Sequence, residues 1–401
     1  MRFANKARLL QINFVYLCLT LCACGGGTSA APGNSGTGTT PPPTGSEILY
    51  ASGTDNQLFS FTIDQTTGAL TQAGSVSPGG NTVDNSSIVI APSGAFLYAA
   101  NDADSGINGY STNASGALSL LTGSPFPIPQ PAGGVGGIVI DSSNRFLYAG
   151  SEFNFGIVGF TIDDTSGALT AIPGSPFLTA VGNPPSDIAI DPSGSFLFAC
   201  SGTDDALEPG HNVWAFTIDS QTGALTPIAG SPFATVENGQ PSALRVDPSG
   251  HFLYVALYNV NGVAAFAIDS ANGSLAAVPG SPFTTASIPF TQASALATDP
   301  SGKFLYVFNF NGSTIAAFTI DSSGGALSPV TGSPFATSPA GEGELIVDPS
   351  GKFLYLAHGF GPPAAFIILN IDPTTGALTP NPSSPFDGSQ EPLGLAVAQF
   401  H

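Results

Sequence analysis

The chain repeats one pattern of apolar and polar positions, which is most complete in residues 299–335. Asp-Pro-Ser-Gly at 299–302 has the residue preferences of a type I turn. The segment after it, 304–308, is apolar on both alternating faces, which is typical of a strand covered on both sides. Residues 314–320 are rich in β-branched and aromatic residues, which is typical of a third strand. The short segment 326–330 contains Pro329, which suits an edge strand. The pattern predicts four antiparallel strands in each unit.

This unit recurs along the chain at a nearly constant spacing. Its Phe-Leu-Tyr core, or a close variant, has its leucine at Leu49, Leu97, Leu147, Leu197, Leu253, Leu305 and Leu354. Successive leucines are 48 to 56 residues apart. Units of this size cannot bury an apolar face alone and stack on their neighbours. Seven such units predict an all-β fold, a seven-bladed β-propeller with four antiparallel strands per blade.

The two ends of the repeat region complement each other. The first unit begins near Glu47 directly at its second strand, whereas residues 393–398 form an apolar segment that resembles a further first strand. We therefore predict that 393–398 pair beside 48–51 and close the ring, which removes free sheet edges. Residues 47–401 are then a single propeller.

Residues 1–23 are predicted to be a signal peptide. A basic start precedes a mostly apolar stretch at 9–23, which is short for a transmembrane helix. The ending Leu-Cys-Ala-Cys resembles a bacterial lipobox, which implies lipid on Cys24 and a place in the cell envelope, on its periplasmic or cell-surface side. An ordinary cleaved signal peptide is the alternative. Residues 24–46 are rich in Gly, Ser, Thr and Pro and predict a flexible tether.

Charge narrows the classes of partner. Seven lysines and arginines stand against 27 aspartates and glutamates, so the formal net charge is −20 at pH 7. Such a surface repels nucleic acid and anionic lipid headgroups, so contact with the membrane is expected only through the lipid anchor. A phosphorylated substrate is disfavoured for the same reason.

The repeats resemble those of the seven-bladed β-propeller lactonases, a family with bacterial 6-phosphogluconolactonase-type and fungal muconate-cycloisomerase-type members. The resemblance rests on two repeated motifs, Asp-Pro-Ser-Gly-x-Phe-Leu-Tyr-Val-Ala-Asn and Ala-Phe-Thr-Ile-Asp-x-x-Thr-Gly-Ala-Leu-Thr-Pro. Versions of them occur at 191–201, 216–227 and 247–256. The resemblance covers about 47–401. It implies the propeller fold and lactone hydrolysis.

The same resemblance implies an Arg-His pair where first strands begin and an acid after a second strand. The corresponding positions, 185–187, 241–243 and 343–344, contain no Arg-His pair. Acids do follow second strands at Asp102 and Glu152. The repeat pattern therefore matches the family, whereas the Arg-His pair that the family's site would contain is missing.

Arg245 stands in a first strand where the aligned strands carry small or apolar residues. These residues are Val89, Val139, Ala189, Ala297 and Ile346. An arginine in such a position needs an acceptor, and Asp187 and Glu344, two positions earlier in their own strands, would share its face. First strands line the channel of a propeller, so the three side chains would converge there. An ion pair that holds the ring and a ligand contact both explain them.

Two loops carry weaker signals for a site. His211 lies with Asp204, Asp205 and Glu208 in the longest loop between second and third strands, and it could act as a base or metal ligand. A solvated loop histidine is the alternative. Residues 101–106 resemble a calcium loop without its distal glutamate. We predict no metal and no cofactor.

Two classes of function follow. The missing Arg-His pair favours a monomeric interaction scaffold that presents its loop face to an envelope protein or neutral glycan, with Arg245, Asp187, Glu344 and Asp102 as ligand contacts. The alternative is a hydrolase that opens a small uncharged lactone. In that case a carboxylate or histidine, such as Glu152 or His211, activates water, and Arg245 stabilises the oxyanion.

Overall fold

The computed structural model describes most of the repeat region. The described residues are 45–53, 57–77, 87–101, 106–129, 135–151, 156–179, 185–201, 212–237, 239–285, 292–337, 343–358, 365–387 and 392–400. In these ranges the chain forms strands and turns and no helix, hence none long and apolar enough to span a membrane. The predicted signal peptide, Cys24 and the tether up to residue 44 lie outside them.

The strands form seven antiparallel sheets, one for each blade, as predicted. From blade 1 to blade 7, the first strands are Pro392–Gln399, Ile88–Ile90, Val135–Ile140, Asp187–Ile190, Pro241–Val246, Ala293–Thr298 and Leu345–Val347. The second strands are Glu47–Gly53, Phe96–Asn101, Phe146–Ser151, Phe196–Cys200, Phe252–Leu257, Phe304–Asn309 and Phe353–His358.

The outer half of each blade follows the same order. The third strands are Leu58–Ile63, Gly106–Ser111, Gly156–Ile162, Asn212–Ile218, Gly262–Ile268, Thr314–Ile320 and Ala365–Ile371. The fourth strands are Leu70–Val76, Ser119–Leu120, Leu169–Ala171, Leu225–Pro227, Leu275–Ala277, Leu327–Pro329 and Leu378–Pro380.

Blades 2 to 7 also contain a two-residue strand that the sequence did not predict. These strands are Phe126–Pro127, Phe177–Leu178, Phe233–Ala234, Phe283–Thr284, Phe335–Ala336 and Phe386–Asp387. In blade 6 the fourth strand pairs only with 318–320 of the third strand. Phe335–Ala336 pairs with 314–315, the first two residues of the same third strand. The segment after the fourth strand therefore pairs with backbone groups of the third strand that the short fourth strand leaves open.

The ring closes with strands from both ends of the repeat region, which confirms the prediction. Ile48 pairs with Ala398, Leu49 with Val397 and Tyr50 with Ala396, in antiparallel register. Each first strand lies against the first strands of both neighbouring blades, so the seven first strands surround the centre of the ring.

Apolar side chains fill the space between blades. In blade 7, Leu354 and Leu356 pack against blade 6, whereas Tyr355 and Ala357 pack against blade 1. The second strand is thus buried on both of its faces, as its sequence predicts.

Tyrosines of the second strands join neighbouring blades by hydrogen bonds. Tyr306 of blade 6 donates its hydroxyl to the carbonyl oxygen of Gly376, in a turn of blade 7, at 3.2 Å. Equivalent bonds run from Tyr98, Tyr148, Tyr254 and Tyr355 to Gly167, Gly223, Gly325 and Gly68. Blade 4 carries the buried Phe198 at this position, and the matching turn of blade 5 ends at Gly273.

We predict that Phe198→Tyr raises the free energy of unfolding by about 1 kcal/mol, because the new hydroxyl can donate to Gly273 as the hydroxyls of the five tyrosines named above do to their glycines. Chemical denaturation measures the change. Tyr306→Phe is the matched control and should lower the free energy of unfolding by a similar amount. A Phe198→Tyr protein less stable than the wild type would show that the blade 4–5 interface has no room for the hydroxyl.

Candidate functional site

The structure brings Arg245, Asp187 and Glu344 together at the inner strands. Asp187 begins the first strand of blade 4, Arg245 lies in the first strand of blade 5, and Glu344 directly precedes the first strand of blade 7. Asp187 and Glu344 lie on the face of the propeller where first strands begin and second strands end. Among the described first strands, Arg245 is the one basic side chain.

Arg245 forms an ion pair with each carboxylate. Its Nη1 lies 2.9 Å from Oδ2 of Asp187, and its Nη2 lies 3.2 Å from Oε1 of Glu344. Blade 6 separates blades 5 and 7 in the ring, so the second pair reaches past the first strand of blade 6. Only small side chains of that strand, Ala295 and Ala297, stand at the positions equivalent to Glu344 and Arg245.

Backbone groups fix both carboxylates. Oδ2 of Asp187 also accepts a hydrogen bond from the amide of Leu244 at 2.9 Å, and Oδ1 accepts one from Ile188 at 2.9 Å. Oε2 of Glu344 accepts a hydrogen bond from the amide of Leu395, in the closing strand, at 2.8 Å. Each carboxylate therefore has one defined orientation toward Arg245.

Two glycines allow this arrangement. A Cβ on Gly137, in blade 3, would lie 2.7 Å from Oδ1 of Asp187. A Cβ on Gly343 would lie 1.5 Å from the carbonyl oxygen of Ala357, so only glycine can precede Glu344 in this conformation. Both contacts require close approach of backbones, which a side chain would prevent.

The cluster is partly open to solvent. The side chains of Arg245, Asp187 and Glu344 are 31%, 17% and 29% exposed. A small molecule can therefore reach part of each of the three side chains. With both carboxylates ionised, the cluster carries one positive and two negative charges.

The surroundings shift two pKa values. Burial raises the pKa of Glu344 to about 7, and Asp187 acts in the same direction, although Arg245 and the Leu395 amide oppose the shift. Burial alone would lower the pKa of Arg245, but the carboxylates of Asp187 and Glu344 raise it above its ordinary value. Arg245 thus stays charged, while Glu344 exchanges its proton near neutral pH.

Four other predicted residues cannot be placed at this site. Asp102, Glu152, His211 and Cys24 lie outside the described residues, so their roles stay predictions. Within the described ranges, no three side chains of His, Cys, Asp or Glu are grouped so that they could hold a metal ion. The sequence predicted Glu344 as a ligand contact, which stays a prediction, and did not predict its raised pKa, because that shift depends mainly on burial.

We predict that Arg245→Met lowers the free energy of unfolding by about 1–3 kcal/mol at pH 8, because it leaves two neighbouring carboxylates without their counterion. Adding Asp187→Leu should restore part of the loss, since one uncompensated charge is removed. Denaturation curves of both variants and the wild type decide the question. Wild-type stability in the single variant would mean that Arg245 serves a ligand and not the ring.

Comparison with known proteins gives a family and a set of similar folds. The family model described as "Lactonase, 7-bladed beta-propeller" matches residues 124–235 and 278–390, more than half of the chain. A search of curated proteins found no match.

Three solved structures illustrate the likeness of fold. A Pseudomonas aeruginosa periplasmic gluconolactonase is 18% identical, with a TM-score of 0.73, and the match covers 89% of this chain and 99% of that protein. A Bacteroides uniformis protein described as a candidate 6-phosphogluconolactonase is 18% identical, with a TM-score of 0.72 and coverage of 88% and 100%. A similarly described Bacteroides fragilis protein is 19% identical, with a TM-score of 0.71 and coverage of 90% and 100%. At these identities the likeness concerns the fold alone.

Proposed function

Because the chain belongs to the seven-bladed β-propeller lactonase family, we propose that it is a hydrolase that opens the ring of an uncharged lactone. The observation that carries the proposal is Glu344, a partly exposed carboxylate with a pKa of about 7, placed 3.2 Å from the Arg245 guanidinium. A group that accepts a proton near neutral pH beside a fixed positive charge suits hydrolysis of an ester. The family match favours this function over the interaction scaffold.

In the proposed reaction Glu344 is the general base. It accepts a proton from a water molecule, whose oxygen attacks the carbonyl carbon of the lactone. Arg245 stabilises the negative charge that develops on the carbonyl oxygen. Its hydrogen bonds to Asp187, Leu244 and Glu344 use three of the five N–H donors of a guanidinium, so donors remain for substrate.

The charge of the protein supports an uncharged substrate. The chain has a net charge of −20, and the cluster itself has two carboxylates for one guanidinium. A phosphorylated lactone would meet this field with at least one more negative charge. The named activities of the similar structures concern sugar lactones, and we propose an unphosphorylated sugar lactone such as glucono-δ-lactone for this chain.

We predict that kcat/KM for glucono-δ-lactone falls about tenfold for each pH unit below about 7, because the raised pKa of Glu344 leaves the base protonated there. Burial is the main cause of the raised pKa, and Arg245, which lowers it, and Asp187, which raises it, are the charged groups that act on Glu344. Glu344→Gln should lower kcat by roughly 10²–10⁴-fold. Rates are measured with the spontaneous hydrolysis subtracted, and thermal melting confirms that the variant is folded.

Two results would contradict this assignment. A folded Glu344→Gln protein with wild-type kcat would exclude Glu344 as the base. If the wild type hydrolyses none of a panel of uncharged lactones, the proposed activity is excluded. The interaction scaffold would then be the favoured function.

We also propose that the protein is exported and anchored in the cell envelope through lipid on Cys24. The lipobox-like sequence before a Gly-rich tether supports this. We predict that Cys24→Ser moves the protein from the membrane fraction to the soluble or unprocessed fraction of the producing bacterium. Fractionation followed by immunoblotting measures the distribution. An unchanged membrane fraction would show that Cys24 is not the anchor.

A further inference from the structure

The ion-paired cluster contains one more carboxylate than it needs for charge balance. Glu344 alone would neutralise Arg245, yet Asp187 binds the other terminal nitrogen of the same guanidinium at 2.9 Å. Asp187 is the less exposed carboxylate, at 17%, and two backbone amides and the close backbone of blade 3 hold it in place. The position of its carboxylate beside Arg245 is thus fixed.

We propose that Asp187 is a specificity-determining residue that keeps Arg245 from binding anions in the resting site. The site then excludes anionic lactones and releases the anionic product of hydrolysis. This inference rests on the proposed lactone hydrolysis, because it concerns the substrate and product of the same site.

The proton on Glu344 decides when Arg245 can face a negative charge. In the resting site above pH about 7, Arg245 and the two ionised carboxylates of Asp187 and Glu344 together carry a net charge of −1. When water attacks the lactone carbonyl, the water oxygen forms a bond to carbon and its proton moves to Glu344. The cluster is then neutral, and the Nη2 of Arg245 no longer faces an ionised Glu344. Arg245 can then stabilise the oxyanion formed in that same step.

The second half of the reaction restores the repulsive charge. The ring C–O bond breaks, and the leaving oxygen takes the proton from Glu344 and becomes a hydroxyl group. The new carboxylic acid loses its proton to solvent, so the product is a hydroxy-acid anion. It then faces a cluster of net charge −1, because two carboxylates, Asp187 and Glu344, again lie against the one guanidinium of Arg245. The neutral substrate meets no such repulsion.

Asp187→Asn tests this proposal. The substitution keeps the size of the side chain and an oxygen that can accept from Leu244, but it makes the resting cluster neutral. We expect it to bind D-gluconate and 6-phosphogluconate about tenfold more tightly than the wild type in isothermal titration calorimetry at pH 8. The ratio of kcat/KM for 6-phosphoglucono-δ-lactone to that for glucono-δ-lactone should rise by a similar factor.

Asp164→Asn is the matched control. Asp164 is exposed in the turn after the third strand of blade 3, and its loss changes the net charge by the same amount. It should leave anion affinity at the wild-type value. Adding Arg245→Met to Asp187→Asn should abolish the gained affinity, because Arg245 is the proposed binding group.

The outcomes separate this inference from the proposed function. Equal gluconate affinity in the wild type and Asp187→Asn, or an equal gain in Asp164→Asn, would overturn it. If Asp187→Asn does not fold, Glu344→Gln is used instead, because it also makes the cluster neutral. Only its anion affinity is measured, and a gluconate affinity equal to that of the wild type would overturn the proposal. If no lactone is hydrolysed but Asp187→Asn gains anion affinity, the proposed reaction fails while Asp187 still controls anion binding.

Discussion

Each blade of this protein is a sheet with apolar side chains on both faces, and the whole structure depends on covering both. Tyr355 and Ala357 of blade 7 need blade 1, just as Leu354 and Leu356 need blade 6. In an open row of such sheets the first and last blades would each expose an apolar face to water, so the row is stable only when it closes into a ring. The pairing of Pro392–Gln399 with Glu47–Gly53 meets this requirement.

The closed ring also determines where charged chemistry can be placed. The faces between blades are filled with apolar side chains, whereas the first strands turn part of their surface toward the channel. At the position of Arg245 the first strands of the other blades carry valine, isoleucine or alanine, and its own strand has no acidic residue, so its counterions must come from other parts of the ring. The nearest partners come from blades 4 and 7, which makes the cluster a product of the ring and not of one blade.

The sequence predicted the parts of this arrangement that depend on periodicity. Regular spacing gave seven blades, and the alternation of strand faces placed Asp187 and Glu344 on the face of Arg245. Periodicity could not predict the raised pKa of Glu344, because it depends on how deeply the folded ring buries this side chain, and an opposing hydrogen bond comes from the amide of Leu395, 51 residues away. It also missed the two-residue strands, whose pairing depends on how short the fourth strand is. Glu152 and Asp102 come directly after second strands and His211 directly before a third strand, where the alternation of strand faces no longer fixes the direction of a side chain.

The excess of carboxylates over guanidinium has opposite effects on the two halves of a hydrolytic cycle. A base is most useful when its pKa lies near the working pH, and both burial and Asp187 move Glu344 in that direction. Release of an anionic product is favoured when the same carboxylates are ionised. Above pH about 7 the resting Glu344 is ionised and carries the proton only between attack on the carbonyl and departure of the ring oxygen, so one cluster can stabilise the oxyanion and then repel the product. Asp187 serves both halves, since it raises the pKa of the base and supplies the negative charge that remains when the base is ionised again.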